Sequence, residues 1–463
     1  MSVFEELRVL DDLDEPRTLR FASSGLPLWP FVRWMAFSAA QDRALGLQPA
    51  FATGPRRSVR QRADFLVRSM LRGPLSAGGP FDIVIVGSSA GLVLQREGRW
   101  FDRINDYFAM ELPDRTLVLD IAAHDGYKTP RFPPRVRCFD TFDVRAGIRA
   151  RLARPSDRDL RAIESLLGFV RERFPIAVAG ATLAQVRAHL IHWAVRLPIL
   201  HGHYARFFDC VQPRVMVIED ASYGAFAHVC TWARAAGIAT AELQHGVIAR
   251  SHLGYNYGDA ACADDAFARC LPQYLLTYGE VWSSCVRSPS ETVTVGCPHF
   301  SETARPTART PTGSVLTISQ GICTETMVRL TAAIARRFPE RRCVFRLHPG
   351  EVAFRERYAS LAAIANVEIS ATGDVYHQLQ RASVVVGHSS TALVEAAGLG
   401  LPVFLLDDET SRAMVPDAVG TWFRTPDELV ALVESPPSVS SDPERFFAGG
   451  WRERYRSFIE RVV

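Results

Sequence analysis

Reactive side chains stand directly after several short apolar runs of this sequence. After Val384–Gly387 come His388 and then the hydroxyl residues Ser389, Ser390 and Thr391. Hydroxyl residues that open a helix stand beside unpaired backbone N–H groups, and a helix N-terminus with such groups binds anions. We therefore predict an anion site, suited to a phosphate, at this point. The alternative is ordinary N-capping, since serine and threonine are favoured caps of any helix.

Glu395 and His348 extend this prediction toward a larger ligand. Glu395 lies about one turn into the same predicted helix, where its carboxylate could hold ribose hydroxyls. His348 ends the apolar run that contains Arg346, and Pro349 favours an extended conformation for the histidine. There His348 could stabilise a leaving phosphate, as a cation or as a general acid, and we assign Arg346 to the same donor site. A histidine before proline is otherwise an ordinary loop residue.

Another histidine follows the apolar run 239–243. Gln244, His245 and Gly246 come directly after that run, and His252 follows a few residues later. We predict that Gln244, Gly246 and His252 contact a substrate, with the glycine letting a ligand approach the backbone closely. His245 is in addition a candidate for acid–base catalysis.

Two other runs end in polar residues. Glu219 and Asp220 end the run 214–218, and either carboxylate could be the general base that deprotonates an acceptor hydroxyl. A solvated strand end is an equally good explanation for this pair. Gln320 and Gly321 end the run 314–319, and the glycine would let a phosphate come close. We assign both to the donor site.

The elements that must position these residues alternate between short apolar runs and helical patterns. Continuous apolar runs are typical of buried parallel strands, and strands that alternate with helices form βαβ units. We predict strands at 81–87, 116–121, 214–218, 239–243, 274–278, 292–295, 314–319, 342–347, 367–370, 383–386 and 402–406. We predict helices at 63–71, 157–173, 183–210, 325–338 and 391–398 and within 443–463. Ligands bind at the carboxyl ends of such strands, which is where the polar residues lie.

The predicted fold class is α/β, with two doubly wound, Rossmann-like domains that face one another across a cleft. We predict that residues 1–268 form the first domain, with 1–80 as a helical or irregular lead-in. Residues 269–463 then form the second domain, whose terminal helix packs back. The chain would cross between the domains at 262–273.

The composition excludes several classes of protein. Hydrophobic residues make up 48% and charged residues 22% of the 463 residues, and the net charge of +3 is too small to indicate nucleic-acid binding. None of the nine cysteines stands in a C-x-x-C pair, so we expect reduced thiols and no zinc site. We find neither a signal peptide nor a run of about 18 apolar residues that would span a bilayer. We therefore expect a cytoplasmic protein.

The motifs resemble those of a known group of enzymes. Arg346-Leu347-His348-Pro349 and Ser389-Ser390-Thr391 are similar to the histidine-proline and serine motifs of bacterial sialyltransferases and polysialyltransferases of the GT-B fold. Glu242-Leu243-Gln244-His245-Gly246 resembles a motif of capsule and lipopolysaccharide glycosyltransferases, including Kdo transferases. The resemblance extends from about residue 215 to 407. It implies that His348, Ser389 and Ser390 contact the donor phosphate and that the base is an acidic residue of the first domain.

The resemblance implies an inverting, metal-independent glycosyltransferase that uses a nucleotide-sugar donor. CMP-linked sugars are favoured, and the acceptor would be a cell-surface glycan precursor, free or lipid-linked. Glu219, Asp220 and His245 all stay open as the base. No Asp-x-Asp sequence occurs where a donor-bound metal would be expected, so we expect neither a metal nor another cofactor.

Three alternatives remain at the level of the sequence. CDP-glycerol glycerophosphotransferases carry similar motifs, but they have an aspartate where this chain has Gly387-His388. Non-hydrolysing nucleotide-sugar epimerases share the architecture and have an Asp-Ser-Gly-Gly stretch at that place. A catalytically idle scaffold for glycan assembly is the non-enzymatic alternative.

The basic stretch from Arg56 to Arg72 suggests peripheral contact with the inner membrane face.

Overall fold

The computed structural model describes residues 3–44, 58–92, 94–124, 126–173, 180–304, 310–321, 323–438 and 442–463. Its strands are β1 (Ile83–Ser88), β2 (Leu94–Arg96), β3 (Arg99–Phe101), β4 (Thr116–Ile121), β5 (Val136–Cys138), β6 (Val215–Ile218), β7 (Ala239–Leu243), β8 (Tyr274–Thr277), β9 (Glu291–Thr294), β10 (Ser314–Ile318), β11 (Cys343–Arg346), β12 (Val367–Ser370), β13 (Ala382–Gly387), β14 (Val403–Leu406) and β15 (Thr421–Phe423).

Its helices in the first 300 residues are α1 (Val3–Val9), α2 (Asp14–Thr18), α3 (Trp29–Ala44), α4 (Val59–Leu71), α5 (Asp106–Glu111), α6 (Thr141–Ala150), α7 (Asp157–Arg173), α8 (Gly180–Val211), α9 (Ala227–Ala235), α10 (Asp259–Ala263), α11 (Asp265–Ala268), α12 (Glu280–Ser283) and α13 (Pro298–Thr303). The later helices are α14 (Thr324–Arg337), α15 (Ala359–Ala362), α16 (Val375–Arg381), α17 (Thr391–Gly398), α18 (Glu409–Met414), α19 (Pro426–Glu434) and α20 (Trp451–Val462). None of these helices is both long and apolar enough to cross a bilayer.

Two parallel sheets organise the molecule. The first has the strand order β5-β4-β1-β6-β7-β8-β9, and the second has the order β12-β11-β10-β13-β14-β15. In each sheet the chain begins in the middle, runs to one edge and then returns to fill the other side, which is the doubly wound order of Rossmann domains. The predicted fold class, two Rossmann-like domains in the GT-B arrangement, is therefore confirmed. A separate antiparallel hairpin pairs β2 with β3.

Both faces of the first sheet are buried, which is why its strands are apolar along their whole length. Val84 and Val86 of β1 pack in one apolar cluster together with residues of α8, such as Leu197. Ile83 and Ile85 point to the opposite face. Alternate residues of one strand thus serve two layers of helices, and a continuous apolar run results.

The terminal helix α20 returns from the second domain to the first. Its residues Trp451, Tyr455 and Phe458 are buried in the same apolar cluster as Ile83 and Ile85 of β1. Helix α20 is therefore part of the layer that covers this face of the first sheet. The expectation that the terminal helix packs back is confirmed.

The predicted domain boundary at 268/269 is wrong. Strands β8 and β9 pair with β7 and with one another, so they complete the first sheet and do not begin the second. The proposed crossing at 262–273 contains the end of α10 and all of α11, and the chain leaves the first sheet only after Thr294. An apolar run shows that a strand is buried, but it carries no information about which sheet the strand joins.

Candidate functional site

The carboxyl ends of the two sheets meet at a cleft. Its space, open to solvent, measures about 520 Å³. The first domain lines it with Arg103, Ile104, His245, Gly246, Val247, Tyr278, Trp282, Cys297 and His299. The second domain and the segment before α20 add Tyr376, Thr391, Val394, Glu395 and Phe447. Such an edge is where doubly wound domains bind ligands.

Four of the residues predicted from the sequence line this cleft, namely His245, Gly246, Thr391 and Glu395. The remaining predicted residues lie near the same sheet ends but are not among its lining residues; they are Glu219, Asp220, Gln244, His252, Gln320, Gly321, Arg346, His348, Ser389 and Ser390. The structure thus brings together one histidine of the first domain and the opening of α17 in the second.

His245 stands at the end of β7 between two acidic groups. Its Nε2 lies 3.3 Å from Oδ1 of Asp220 and 3.1 Å from the hydroxyl of Tyr223. Its Nδ1 lies 3.3 Å from the hydroxyl of Tyr255, which donates to Oε1 of Glu242 at 2.8 Å. Both ring nitrogens of His245 thus lie within hydrogen-bonding distance of polar groups that fix the orientation of the ring.

Glu242 anchors this arrangement from inside the first sheet. Its carboxylate is fully buried and accepts hydrogen bonds from the backbone N–H and the hydroxyl of Ser222 and from Tyr255. Burial raises the pKa of Glu242, while the nearby His245 and the hydrogen bonds from Ser222 and Tyr255 act in the opposite direction. Glu242 therefore holds the surroundings of His245 in place.

Asp220 adopts a left-handed backbone conformation, with φ of 58°. Aspartate tolerates this conformation better than most residues, and such strain is concentrated at functional sites. The conformation ends β6 abruptly, and the carboxylate lies beside His245. Burial raises the pKa of Asp220, and His245 opposes this effect.

Glu219 lies next to Asp220 but has a different environment. Its Oε2 accepts hydrogen bonds from the backbone N–H of Ser88 at 2.7 Å and from the amide of Asn105 at 3.3 Å. Burial, followed by the neighbouring carboxylate of Asp102, raises the pKa of Glu219 to about 8. At neutral pH this side chain is therefore mostly protonated, which makes it a poorer base than an ionised carboxylate.

The side chains of Gln244 and His252 contact other residues of the first domain. The buried amide of Gln244 donates to the carbonyl oxygen of Gly246 and accepts from the N–H of Tyr278, both at 2.8 Å, so it joins the ends of β7 and β8. His252 stacks on Tyr223, and burial lowers the pKa of His252 to about 4. Gly246 lines the cleft, and an added Cβ there would meet open space.

The opening of α17 is set by a close approach to β13. A Cβ at Gly387 would lie 2.6 Å from Cδ2 of Leu393, so only glycine lets the first turn of the helix come this near. Ser390 caps the helix, because its hydroxyl accepts from the N–H of Ala392 at 3.4 Å. Thr391, at the first helical position, is exposed and faces the cleft. The capping interpretation therefore accounts for Ser390, while Thr391 is placed to contact a ligand.

Ser389 belongs to a chain of hydrogen bonds with His388 and Asp408. The hydroxyl of Ser389 lies 2.9 Å from Nδ1 of the buried His388, whose Nε2 lies 2.8 Å from Oδ2 of Asp408. Burial opposes the charge of Asp408, but the hydrogen bonds from His388 and from the N–H of Ser411 outweigh it and hold the pKa of Asp408 below its usual value. An ionised Asp408 favours a proton on Nε2 of His388, so Nδ1 can accept from Ser389.

Glu395 reaches the cleft from the second turn of α17. Its Oε1 accepts from the hydroxyl of Tyr376 at 2.8 Å. Burial raises the pKa of Glu395 to about 7, and the hydrogen bond from Tyr376 and the nearby Arg103 act against this rise. The cleft therefore contains a carboxyl group that changes charge near neutral pH, with a guanidinium group close to it.

His348 begins a 3-10 helix at the end of β11. Its Nδ1 accepts from the N–H of Gly350 at 3.2 Å, which requires that Nδ1 carry no proton. The neutral ring then carries its proton on Nε2, which makes Nε2 a donor. The backbone N–H of His348 donates to the buried carboxylate of Glu351 at 3.0 Å. The same carboxylate accepts from the hydroxyl of Ser319, at the end of β10, also at 3.0 Å. Glu351 thus joins the two strand ends.

Gln320, Gly321 and Arg346 differ in how far their polar groups are engaged. Oε1 of Gln320 is buried and has no hydrogen-bond partner in the part of the chain that the structure describes, so it could accept from a ligand. Gly321 has a backbone φ of 73°, a value that residues with a side chain rarely adopt. The guanidinium of Arg346 donates to the carbonyl oxygens of Thr372 and Gly373 at 2.7 and 2.6 Å, so it holds the loop after β12.

Several residues of the site were missed from the sequence. Arg103 and Tyr376 line the cleft without any motif around them, and Asp408 is twenty residues from its partner His388. His299 also lines the cleft, where burial lowers the pKa of its ring to about 4. The one available signal was the polar stretch Asp102-Arg103-Ile104-Asn105-Asp106, which follows an aromatic pair.

Two groups of side chains combine ligand types that metals use. They are Asp220 with Glu242 and His245, and Cys323 with His388 and Asp408; within each group the ligand atoms lie within 4.8 Å of one another. Glu242 and His388 already bond to protein partners through their polar atoms. A bound metal would therefore have to compete with these hydrogen bonds.

One protein family matches part of the second domain. The family described as "Putative glycosyltransferase (DUF6716)" matches residues 323–412, which are 90 of the 463 residues. The matched region contains β11 to β14 and α17, and with them His348, Ser389 and Asp408. No curated protein matches the chain in sequence.

Solved structures similar to this chain include epimerases and glycosyltransferases. UDP-GlcNAc 2-epimerase from Methanocaldococcus jannaschii is 11% identical over 82% of this chain and 99% of its own, with a TM-score of 0.47. The Neisseria meningitidis UDP-GlcNAc 2-epimerase bound to UDP-GlcNAc is 12% identical over 82% and 98%, with a TM-score of 0.44. Glycosyltransferase VinC in complex with dTDP is 11% identical over 82% and 98%, with a TM-score of 0.45. Similarities at this level do not bear on activity.

Proposed function

We propose that this protein is a glycosyltransferase that moves a sugar from a nucleotide-activated donor to an acceptor hydroxyl. The observation that carries the proposal is the cleft, where His245 of the first domain faces Thr391 and Glu395 of the second. A possible acid–base group and a possible anion site thus stand on opposite walls of one space. The glycosyltransferase description of the family that matches 323–412 supports the same reaction class.

The second domain would hold the donor. The N-terminus of α17 and the Thr391 hydroxyl are suited to the phosphate, and Glu395 is suited to the ribose hydroxyls. Nε2 of His348 would donate to the leaving phosphate. The motif resemblance favours a CMP-linked sugar such as sialic acid or Kdo. No metal is needed in this proposal, because protein groups neutralise the phosphate.

The first domain would hold the acceptor and its base. The acceptor hydroxyl gives its proton to the His245–Asp220 pair as its oxygen bonds to the anomeric carbon. The bond between that carbon and the phosphate oxygen breaks, and its electron pair leaves with the nucleotide. Attack from the opposite side inverts the anomeric configuration. Glu219 is less suited to be the base at neutral pH, because its raised pKa of about 8 keeps it protonated.

The acceptor that we propose is a precursor of a capsule or lipopolysaccharide glycan, made in the cytoplasm at the inner face of the membrane. Cysteines support a reducing compartment, since all nine are free thiols. A lipid-linked precursor would require the protein to reach the membrane surface.

A thermal-shift screen with CMP, CDP, UDP, GDP and dTDP tests the donor site. A nucleotide at a hundredfold excess over its Kd stabilises the folded protein by about 2.7 kcal/mol. We expect CMP to raise the Tm of the protein and to have a smaller effect on His348→Ala and Ser389→Ala. The exposed His377→Ala and Ser165→Ala serve as matched controls that retain the full shift.

Other outcomes of this screen would change the proposal. A shift with UDP or GDP instead of CMP would keep the site but replace the donor class. A shift with CDP and turnover of CDP-glycerol would indicate a phosphotransferase, and interconversion of a free nucleotide sugar without an acceptor would indicate an epimerase. The absence of a shift with every nucleotide would overturn the proposal in favour of a scaffold for glycan assembly.

A further inference from the structure

Helix α4 contacts the body of the first domain along a narrow stripe. The ring of Phe65 stacks on Tyr127, with 5.9 Å between centroids and 14° between planes. One helical turn later Ser69 is buried, and its hydroxyl lies 3.1 Å from that of Tyr127. The hydroxyl of Thr141 donates to the carbonyl oxygen of Ser69. These contacts fix which side of the helix faces the protein.

The opposite side of α4 exposes five large apolar residues, with Arg60 among them. It carries Val59, Leu66, Val67, Met70 and Leu71, which are between 42% and 83% exposed. At about 100° per residue, these five positions fall roughly 100–240° away from Phe65 around the helix axis, on the side turned away from the body. They are half of the ten large apolar side chains that are exposed in the part of the chain that the structure describes. Apolar patches of this kind mark interaction sites.

Positive charge is concentrated beside this apolar face. A pocket next to α4 is lined by Arg68, Arg72, Arg99, Arg131 and Arg137, and Asp120 is the only acidic residue in its lining. Asp120 is paired with Arg131, and Arg68 is paired with Asp64 at 2.8 Å. Among the described residues, no carboxylate pairs with the other three arginines. This leaves an excess of positive charge that suits an anion.

Unpaired donors within the pocket support an anionic ligand. The guanidinium of Arg137 donates to the carbonyl oxygens of Val136 and Ser76, and these neutral partners leave its charge uncompensated. The Nε atoms of Arg131 and Arg137 are buried and have no hydrogen-bond partner within the described ranges. Guanidinium groups bind phosphate oxygens through paired N–H groups.

We infer that α4 and this arginine pocket dock the protein on an anionic membrane surface. The apolar side of α4 enters the boundary between headgroups and acyl chains, and the arginine pocket takes a lipid phosphate. A helix that exposes apolar residues together with arginines lies in the plane of such a surface, and anionic headgroups attract these arginines. The prediction of membrane contact through residues 56–72 is thereby narrowed to α4 and the pocket; Arg56 and Arg57 lie outside the described residues.

The docking surface adjoins the cleft. Arg99 of the pocket and Arg103 of the cleft are four residues apart, so their Cα atoms lie within about 14 Å of one another. A phosphate-bearing lipid held by the pocket would therefore bring its headgroup close to the cleft. Docking itself does not depend on the reaction that the cleft performs.

Sedimentation of the full-length protein with vesicles tests the docking surface. We expect binding to vesicles of phosphatidylglycerol and phosphatidylcholine, and little binding to phosphatidylcholine alone. Leu66→Ser combined with Met70→Ser should weaken binding more than tenfold. Arg72→Gln and Arg99→Gln should each weaken it about fivefold, and added salt should weaken binding of the wild type.

Matched variants and a second measurement control for folding. The exposed Leu152→Ser and Arg158→Gln, which lie outside α4 and outside the pocket lining, should bind vesicles as the wild type does. Each variant should keep the wild-type Tm and any nucleotide-induced shift, so that failure of docking and failure of the proposed function are distinguished.

Three outcomes would overturn the inference. The first is failure of the wild type to sediment with anionic vesicles, or equal sedimentation of the Leu66/Met70 variant. The second is a dimer of the wild type that the Leu66/Met70 variant abolishes, which would assign the apolar side to a protein interface. Stabilisation by inorganic phosphate that Arg72→Gln removes, without vesicle binding, would assign the pocket to a soluble anion.

Discussion

The surroundings of Glu219 disfavour the charged form of its carboxyl group. Burial and the neighbouring carboxylate of Asp102 raise its pKa from 4.5 to about 8, although Ser88 and Asn105 donate hydrogen bonds to it. The folded protein therefore holds a proton that the unfolded chain releases near pH 4.5. Between these two pKa values the folded state binds more protons than the unfolded state, so raising the pH costs stability.

Replacing Glu219 by glutamine should remove this pH dependence. Glutamine stays neutral, and its amide oxygen can still accept from Ser88. We expect the free energy of unfolding of Glu219→Gln to fall less than that of the wild type between pH 5 and pH 8.5. One pKa unit corresponds to about 1.4 kcal/mol before discounting for partial exposure to solvent. Urea denaturation at both pH values measures the difference, with the exposed Glu453→Gln as control. If the free energy of unfolding changed equally with pH in the wild type and in Glu219→Gln, the raised pKa of Glu219 would be contradicted.

Residue types at strand ends could be predicted from the sequence, whereas their partners could not. His348 was predicted as a site residue because an apolar run ends beside it. Glu351 is only three residues from His348, but folding alone places it on Ser319, and folding alone places Asp408 on His388. A hydrogen bond between residues twenty or more positions apart leaves no local pattern.

The turn after β6 depends on two left-handed residues and a close contact with α3. Asp220 and Gly224 have φ of 58° and 87°. A Cβ built on Gly224 would lie only 1.9 Å from the carbonyl oxygen of Pro30, so a side chain is excluded there by both conformation and space. The position of Asp220 beside His245 thus relies on a glycine four residues later.

Gly224→Ala should therefore destabilise the protein by about 3 kcal/mol or more, through backbone strain together with overpacking. Gly246→Ala is the matched comparison, because its Cβ would meet nothing within 4 Å and its φ is not in the left-handed region. We expect this second change to alter the free energy of unfolding by no more than about 0.5 kcal/mol. Urea denaturation compares the two variants. Similar free energies of unfolding for Gly224→Ala and Gly246→Ala would mean that a Cβ at position 224 does not clash with Pro30.

Some of the longer elements agreed with the sequence pattern, whereas the long helices α3 and α6 were not predicted individually and the shortest strands did not appear in it. The predicted strands 116–121 and 239–243 and the predicted helices 157–173 and 391–398 have the observed bounds of β4, β7, α7 and α17. Strands β2, β3, β5 and β15 were missed. Each has three residues, which is too few to establish an apolar run or an alternation.

The division of strands between the two sheets is a property of the whole molecule. β8 and β9 read like any other buried strands, and pairing with β7 is what assigns them to the first sheet. The terminal helix was predicted to pack back, but the surface that it covers could not be read from the sequence, since an amphipathic helix carries no record of its partner. Trp282 donates to the carbonyl oxygen of Phe446 at 2.8 Å, and Ala448 donates to that of Tyr278 at 2.8 Å, so the chain before α20 adheres to the first domain.

Helix α20 should therefore contribute to the stability of a domain that the chain has already left, and Tyr455 allows a test. Its buried ring packs against Phe108, with 4.8 Å between centroids. Tyr455→Ala should lower the free energy of unfolding by about 3–5 kcal/mol and expose α20 to proteases.

Tyr455→Phe is the matched control for this change. The Tyr455 hydroxyl is buried and has no hydrogen-bond partner in the described part of the chain. Phenylalanine keeps the ring and removes that unsatisfied group, so we expect equal or greater stability than in the wild type. Urea denaturation and limited proteolysis measure both variants. A loss with Tyr455→Phe as large as that with Tyr455→Ala would mean that the hydroxyl, and not the packing of the ring, holds α20 in place. An unchanged stability of Tyr455→Ala would mean that the Tyr455 ring is not needed to hold α20, since Trp451 of the same helix also packs against Phe108, with 5.6 Å between centroids.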